Sequence, residues 1–141
     1  MSSFSNYLET NIVQSTLRGT AFPVPSSVYV ALFTTDPSDA NTTSNEVQVS
    51  GTWTDYTRED AAAGGAVATG WTNPSNGVSS NEKVITFPPN DGASITITHL
   101  GLYDAGTAGN LLFHAPLAAP KTLLTGDVLS FAIGSIVVTV A

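Results

Sequence analysis

Apolar and polar side chains alternate through the second half of the chain, and that two-residue period predicts strands. Between residues 94 and 103, Ile95, Ile97, His99 and Tyr103 share one parity and Thr96, Thr98, Leu100 and Leu102 the other. The half-buried face therefore changes along the segment, and a bulge near Gly101 is the expected cause. Residues 104–110 hold two glycines and short polar residues for a reversal, and residues 111–117 read as the returning strand of a hairpin. Residues 84–87 stop at Pro88-Pro89. Residues 123–124, 128–133 and 136–140 complete the C-terminal half, with Gly126-Asp127 and Gly134-Ser135 as turns.

Upstream, residues 28–34 form an uninterrupted run of β-branched, aromatic and other apolar side chains, the pattern of a central strand covered on both faces. Residues 36–44 follow as a polar loop. Residues 46–49, 53–58 and 66–71 are weaker strand candidates, and residues 61–65 are too rich in small side chains to assign.

A helical period occurs only at the start, where Phe4, Tyr7, Leu8, Ile12 and Val13 fall on one side. Ser2 or Ser3 is expected to cap this helix, and Gly19 to end it after Arg18. Phe22-Pro23-Val24-Pro25 then forms a stiff extended connector, because each proline fixes its own φ and disfavours helix in the residue before it. The reading divides the chain into an N-terminal helix and Pro-braced connector, residues 1–25, and a β-sandwich domain, residues 26–141. The fold class expected is mainly β: an antiparallel, jelly-roll-like β-sandwich preceded by one short amphipathic helix.

At 141 residues the chain fits one domain able to bury roughly 70% of its unfolded surface. It has no cysteine, which removes disulfides, thiolate catalysis and Cys-ligated zinc from consideration. A net charge of −7 repels phosphate backbones, so no direct nucleic-acid partner is expected. Only 11% of residues are charged, against roughly 25% in an ordinary soluble domain, and such a neutral surface suits contact with other protein. No basic-then-apolar leader opens the chain and no segment approaches the roughly 20 apolar residues of a membrane helix, so neither a secretory signal nor a membrane partner is expected.

Candidate chemistry is sparse. His99 and His114 lie on neighbouring strands of the hairpin and could begin a metal site, but no third ligand stands at metal-binding spacing, and structural hydrogen bonding is favoured. Asp36/Asp39 and Glu59/Asp60 are carboxylate pairs with the chemistry of glycoside hydrolysis, but each reads better as a turn or a solvated surface. Residues 64–70 have the glycines of a phosphate loop, but Trp71-Thr72 stands where Lys-Ser/Thr is required. No Gly-x-Ser-x-Gly elbow is present. No catalytic, metal or cofactor site is expected. Trp53, Tyr56 and Trp71 are aromatic candidates for recognition, with core packing the commoner fate.

An ordered series of segments adds a family likeness. It runs from Asn6-Tyr7-Leu8-Glu9 through Val28-Tyr29-Val30-Ala31-Leu32-Phe33-Thr34-Thr35-Asp36 and Pro37-Ser38-Asp39-Ala40 to Ser75-Asn76-Gly77 and Ile85-Thr86-Phe87-Pro88. It continues with Thr98-His99-Leu100-Gly101-Leu102-Tyr103-Asp104, Gly109-Asn110-Leu111-Leu112-Phe113-His114 and Thr125-Gly126-Asp127-Val128-Leu129-Ser130-Phe131. In that order they resemble a family of small bacteriophage virion proteins that includes tail fibre proteins and capsid cement or decoration subunits. One departure is that the family's Tyr-Ala-Arg segment appears as Asp55-Tyr56-Thr57-Arg58, preceded by Trp53. The resemblance implies a non-enzymatic structural protein of the virion, assembled in the host cytoplasm. It further implies a homotrimer that binds the major capsid protein on the outer surface of the assembled head, with a tail or tail-fibre component for host recognition as the alternative. Phe4, Tyr7, Leu8 and Ile12 on the helix, with Trp53 and Tyr56, are the candidate interface residues.

Overall fold

The structure, a computed structural model, describes residues 2–47 and 52–140. In chain order its elements are β1 (Ser3–Phe4), α1 (Asn6–Arg18), β2 (Tyr29–Phe33), β3 (Glu59–Asp60), β4 (Val78–Ser80), β5 (Ile85–Thr86), β6 (Ile95–Tyr103), β7 (Leu111–Leu123), β8 (Ser130–Phe131) and β9 (Val137–Thr139), with 3-10 turns at Thr43–Asn45 and Val67–Thr69. One antiparallel sheet has the order β1-β7-β6-β2-β3, and two ribbons, β4-β9 and β5-β8, complete the described strands. The fold is mainly β and antiparallel with one N-terminal helix, as its alternating pattern requires.

The run at residues 28–34 becomes β2, and its side chains are buried on both sides. Val30 and Leu32 join the main core with Ile97 and Leu102 of β6 and with Ile85, Phe87, Leu129 and Ile136 from the ribbon side. Ala31 and Phe33 face a second, smaller cluster with Tyr103 and Leu111. At about 1.5–3 kcal/mol for each large side chain removed from water, this burial is the principal stabilising term. The ribbon strands are shorter than expected because residues 128–133 and 136–140 leave their partners after two or three ladder positions.

The hairpin forms from β6 and β7, and its ladder slips twice, once between Leu102 and Tyr103, beside Gly101 as expected, and more widely between Ile97 and His99, where the buried face changes. Ile97 pairs with Lys121 and His99 with Pro116, so Thr98 stands opposite four residues, 117–120. Ile95 and Ile97 before the bulge and Leu100 and Leu102 after it all reach the main core. The surplus residues lie on β7, beside Pro116 and Pro120, which have no N–H to give a ladder. Gly101 serves a further purpose. A Cβ there would lie 2.8 Å from Cε2 of Phe33 and 3.0 Å from Cδ1 of Leu111, so only glycine lets Phe33 and Tyr103 stack, ring centres 6.3 Å apart, above the strand.

The helix cap differs from expectation. Ser5, extended at φ −78°, ψ 158°, is the cap, and its Oγ accepts from the Leu8 N–H at 3.1 Å. Phe4 therefore lies outside the helix. It belongs to β1, where Ser3 pairs with His114 and Phe4 with Phe113, their rings edge to face at 5.4 Å. Gly19, at φ 69°, closes the helix by donating its N–H to Gln14.

The middle of the chain contains less strand than its pattern suggested. Among its described residues only Glu59–Asp60 forms a strand, residues 53–58 are irregular, and the stretch 66–71 holds the Val67–Thr69 3-10 turn and a single bridge from Trp71 to Asn81. Of the strand expected at 46–49, Glu46 makes one bridge to Phe33, and residues 48 and 49 lie outside the described residues. Among the described residues no helix is long and apolar enough to cross a membrane.

Candidate functional site

The six candidate interface residues divide by burial. Leu8 is 5% exposed, Trp53 2% and Tyr56 1%, so these three are core side chains with no surface to offer a partner. Trp53 packs edge to face on Tyr56 at 5.6 Å, and Tyr56 stacks on Phe87 at 6.0 Å. Phe4 covers Phe113. Tyr7 and Ile12 remain half-buried. The apolar surface that α1 does present is Val13, 52% exposed, and Leu17, 79% exposed, one helical turn apart. Leu17 was legible as the continuation of the Leu8, Ile12 and Val13 series.

The helix start is pinned to the body. Ser5 Oγ donates to the Leu111 carbonyl, Ser5 N–H to the Leu112 carbonyl at 3.0 Å, and Asn6 N–H to the Asp39 carbonyl at 2.9 Å. Its last two turns, by contrast, extend with every side chain from Val13 to Arg18 except Ser15 exposed.

Asp55-Tyr56-Thr57-Arg58, the segment that departs from the family pattern, builds a densely bonded buried site. Arg58 holds Glu46 through two nitrogens, Nε to Oε1 at 2.8 Å and Nη2 to Oε2 at 2.7 Å, with both side chains about 5% exposed. Its Nη1 donates to the carbonyls of Ala105 at 3.1 Å and Ala108 at 2.6 Å, and its guanidinium carbon lies 3.6 Å over the Tyr103 ring. Tyr56 OH donates to Glu46 Oε1 at 3.2 Å and accepts from the Leu32 N–H at 2.9 Å. Burial pushes the Tyr56 hydroxyl well above its ordinary range, and the Glu46 charge adds to this. Burial alone would lower the Arg58 guanidinium, but bonding to Glu46 and its charge outweigh that and hold it above its usual value. The result is a clasp joining β2, the loop before residue 47 and the tip of the β6-β7 hairpin.

The histidines do not meet, because His99 stands opposite Pro116 and His114 opposite Gly101. His99 Nδ1 pairs with Thr98 Oγ1 at 2.8 Å. His114 is buried between two carboxylates, Nδ1 at 3.0 Å from Asp36 Oδ1 and Nε2 at 2.8 Å from Asp39 Oδ1. Among the described residues no group of three His, Cys, Asp or Glu is placed to hold a metal. Glu59 accepts from Thr57 Oγ1 at 3.1 Å. Asp60 accepts from Ser27 Oγ at 2.5 Å, Ala62 N–H at 2.8 Å and Gly64 N–H at 3.0 Å. Burial works to raise its carboxyl, but these bonds and Lys83 hold it below the ordinary carboxylate range. Both acidic pairs are thus occupied in fixing turns.

Among the described residues, apolar grooves open on the surface at two places. One, about 400 Å³, lies between β7 and β9 over Leu100, Leu102, Phe113 and Phe131. The other, about 280 Å³, is bordered by Val28, Trp71, Leu112 and Val138. The chain therefore offers apolar clefts and a protruding helix, which are features for contact with protein.

No curated protein matches the chain. Residues 3–139, nearly its whole length, match the family of the podophage GP4 fiber I protein gp80, and the chain belongs to that family of phage virion fibre proteins.

Proposed function

We propose that this protein is a fibre subunit of the phage particle that works by binding, without catalysis, and that helix α1 is the handle by which it docks on its neighbour in the virion. The observation that carries the reading is the exposure of Val13 and Leu17 on a helix whose hydrogen bonds to the body, among the described residues, all lie at its start. An isolated helix of 13 residues is marginal in water, so its exposed apolar stripe is best satisfied by covering protein. The absence of catalysis is supported by the bonding of the acidic pairs and the Glu46–Arg58 clasp, whose groups are engaged within the fold.

The test is incorporation. Phage carrying Val13→Glu/Leu17→Glu should assemble particles depleted of this protein, while the purified variant unfolds within about 0.5 kcal/mol of wild type, as surface substitutions do. Particles with full occupancy would remove the helix from the docking mechanism.

A second reading keeps the same handle but puts it on the head: a homotrimeric cement subunit bound to the major capsid protein, stabilising the closed shell by mass action. The likeness of the ordered segments to decoration proteins favours it. The family description favours the fibre. Labelled antibody on intact virions separates the two, since a dense signal over the head supports cement and a signal confined to the tail apparatus supports the fibre subunit.

A further inference from the structure

The outer edge of β9 has an unfilled place beside the larger groove. Asn81 N–H donates to the Ile136 carbonyl at 3.1 Å, Ile136 N–H to Asn81 Oδ1 at 2.8 Å, and Val140 N–H to the Gly77 carbonyl at 2.8 Å, so residues 136 and 140 turn their main chain toward the β4 side. By antiparallel alternation, Val137 and Thr139 turn theirs outward. Thr139 is satisfied there by one hydroxyl: its N–H donates to Ser2 Oγ at 3.1 Å, and Ser2 Oγ donates to its carbonyl at 3.0 Å. The main chain of Val137, two residues earlier on the same edge, has no partner among the described residues. It borders the groove of about 400 Å³, whose floor includes Leu117 and Ile136.

The connector between α1 and β2 has the complementary deficiency. Residues 21–26 make no hydrogen bond to the rest of the described chain. Phe22 and Val24 each precede a proline and are thereby held extended. In an extended chain they share one edge and one face, so their N–H and C=O groups point together and their apolar side chains point together. Pro23 and Pro25 take the opposite edge, where a missing N–H prevents any further strand from adding. Val24 is 76% exposed and Phe22 half-buried. No residue of the connector lines the groove in its own chain, and Ser27 and Val28 tie its end to Asp60 and Ala61.

We infer that the occupant of the groove is the connector of a second copy of this chain, laid along the outer edge of β9 with Phe22 and Val24 over the apolar floor and their main chain bonded to Val137. This is strand addition, in which main-chain bonds supply affinity and alternate side chains supply specificity. Donor and acceptor surfaces differ, so the contact is head-to-tail and generates a closed ring or a filament. The inference goes beyond the docking role of the helix and is read on the purified protein, so either can fail without the other.

The chain has no cysteine, which makes directed cross-linking clean. Val24→Cys and Ala118→Cys, the latter at the groove, are made as single variants and mixed under mild oxidation. The expected product is a covalent dimer containing one of each, at least tenfold more abundant than either homodimer, and the double variant should give a ladder of linked chains. Val137→Pro, which removes the outward N–H, should reduce the mixed dimer at least tenfold, whereas Val137→Ala should hold it within twofold. Should Val137→Pro not fold, deuterium uptake at residues 135–139 of wild type serves instead, with protection at high protein concentration and its loss on dilution expected. Random homodimer and heterodimer yields, a bond confined to single chains, or uptake independent of concentration would each overturn the proposal.

Discussion

Arg58 lies with its guanidinium carbon 3.6 Å above the Tyr103 ring while two of its nitrogens hold Glu46 and a third holds the hairpin tip. Few arrangements depend so fully on arginine, because the planar fork, the stacked face and the permanent charge are all in use. Arg58→Ala leaves Glu46 buried without its cation, and a cost of about 3–5 kcal/mol is expected. For a domain of this size that lowers the melting temperature by roughly 10–20 °C, measurable by calorimetry. Arg58→Lys should recover less than half of the loss. Should Glu46→Gln/Arg58→Met prove no more stable than Arg58→Ala, the uncompensated charge is not the source of the cost.

Gly101→Ala should destabilise by about 1–3 kcal/mol through overpacking against Phe33 and Leu111. Urea unfolding gives the value directly. The companion change Phe33→Leu opens space beneath the new methyl, and the pair should cost less than the sum of the two single changes. Strict additivity would mean that the glycine is not there to admit the ring.

These two sites show how far the chain could be read before its fold was known. β2 was legible because apolar side chains on both parities leave no face for water, and the hairpin because two glycines separate two alternating runs. The slip beside Gly101 was legible too, but the larger bulge was not, since the surplus residues 117–120 sit on the other strand from the face they change. The helix cap was ambiguous because three serines precede Asn6, and the choice of Ser5 is made by Phe4 meeting Phe113, far along the chain. Residue type alone leaves Trp53 and Tyr56 between core, the commoner fate, and interface, because aromatic rings suit both. The hydroxyl of Tyr56 reaches Leu32 and Glu46, so its place was decided by contacts that no local period encodes.

Ser5→Ala removes the cap and the bond to the Leu111 carbonyl together. Loss of a serine cap costs about 0.5–2 kcal/mol, and the bared carbonyl moves the expected value to the upper part of that range. The loss should be local, seen as faster amide exchange at the start of α1 with the β6-β7 ladder unchanged. Uniform acceleration across both would show instead that the N-terminal element and the sheet unfold as one unit.

Acid should loosen two turns first. Thr54, through its hydroxyl, and the N–H groups of Thr54 and Asp55 hold the Asp91 carboxyl below the ordinary range, and Asp60 is likewise depressed. A carboxyl whose folded pKa lies below its unfolded value, about 3.9 for aspartate, binds fewer protons folded than unfolded in that interval. Its contribution is therefore complete above about pH 5 and declines as pH falls through the folded value. Urea unfolding of wild type should show stability falling as pH drops below about 4. Asp60→Asn and Asp91→Asn should each be less stable at pH 7 and lose less on acidification. If both variants fall in parallel with wild type, other carboxyls carry the acid sensitivity and these two turns do not set it.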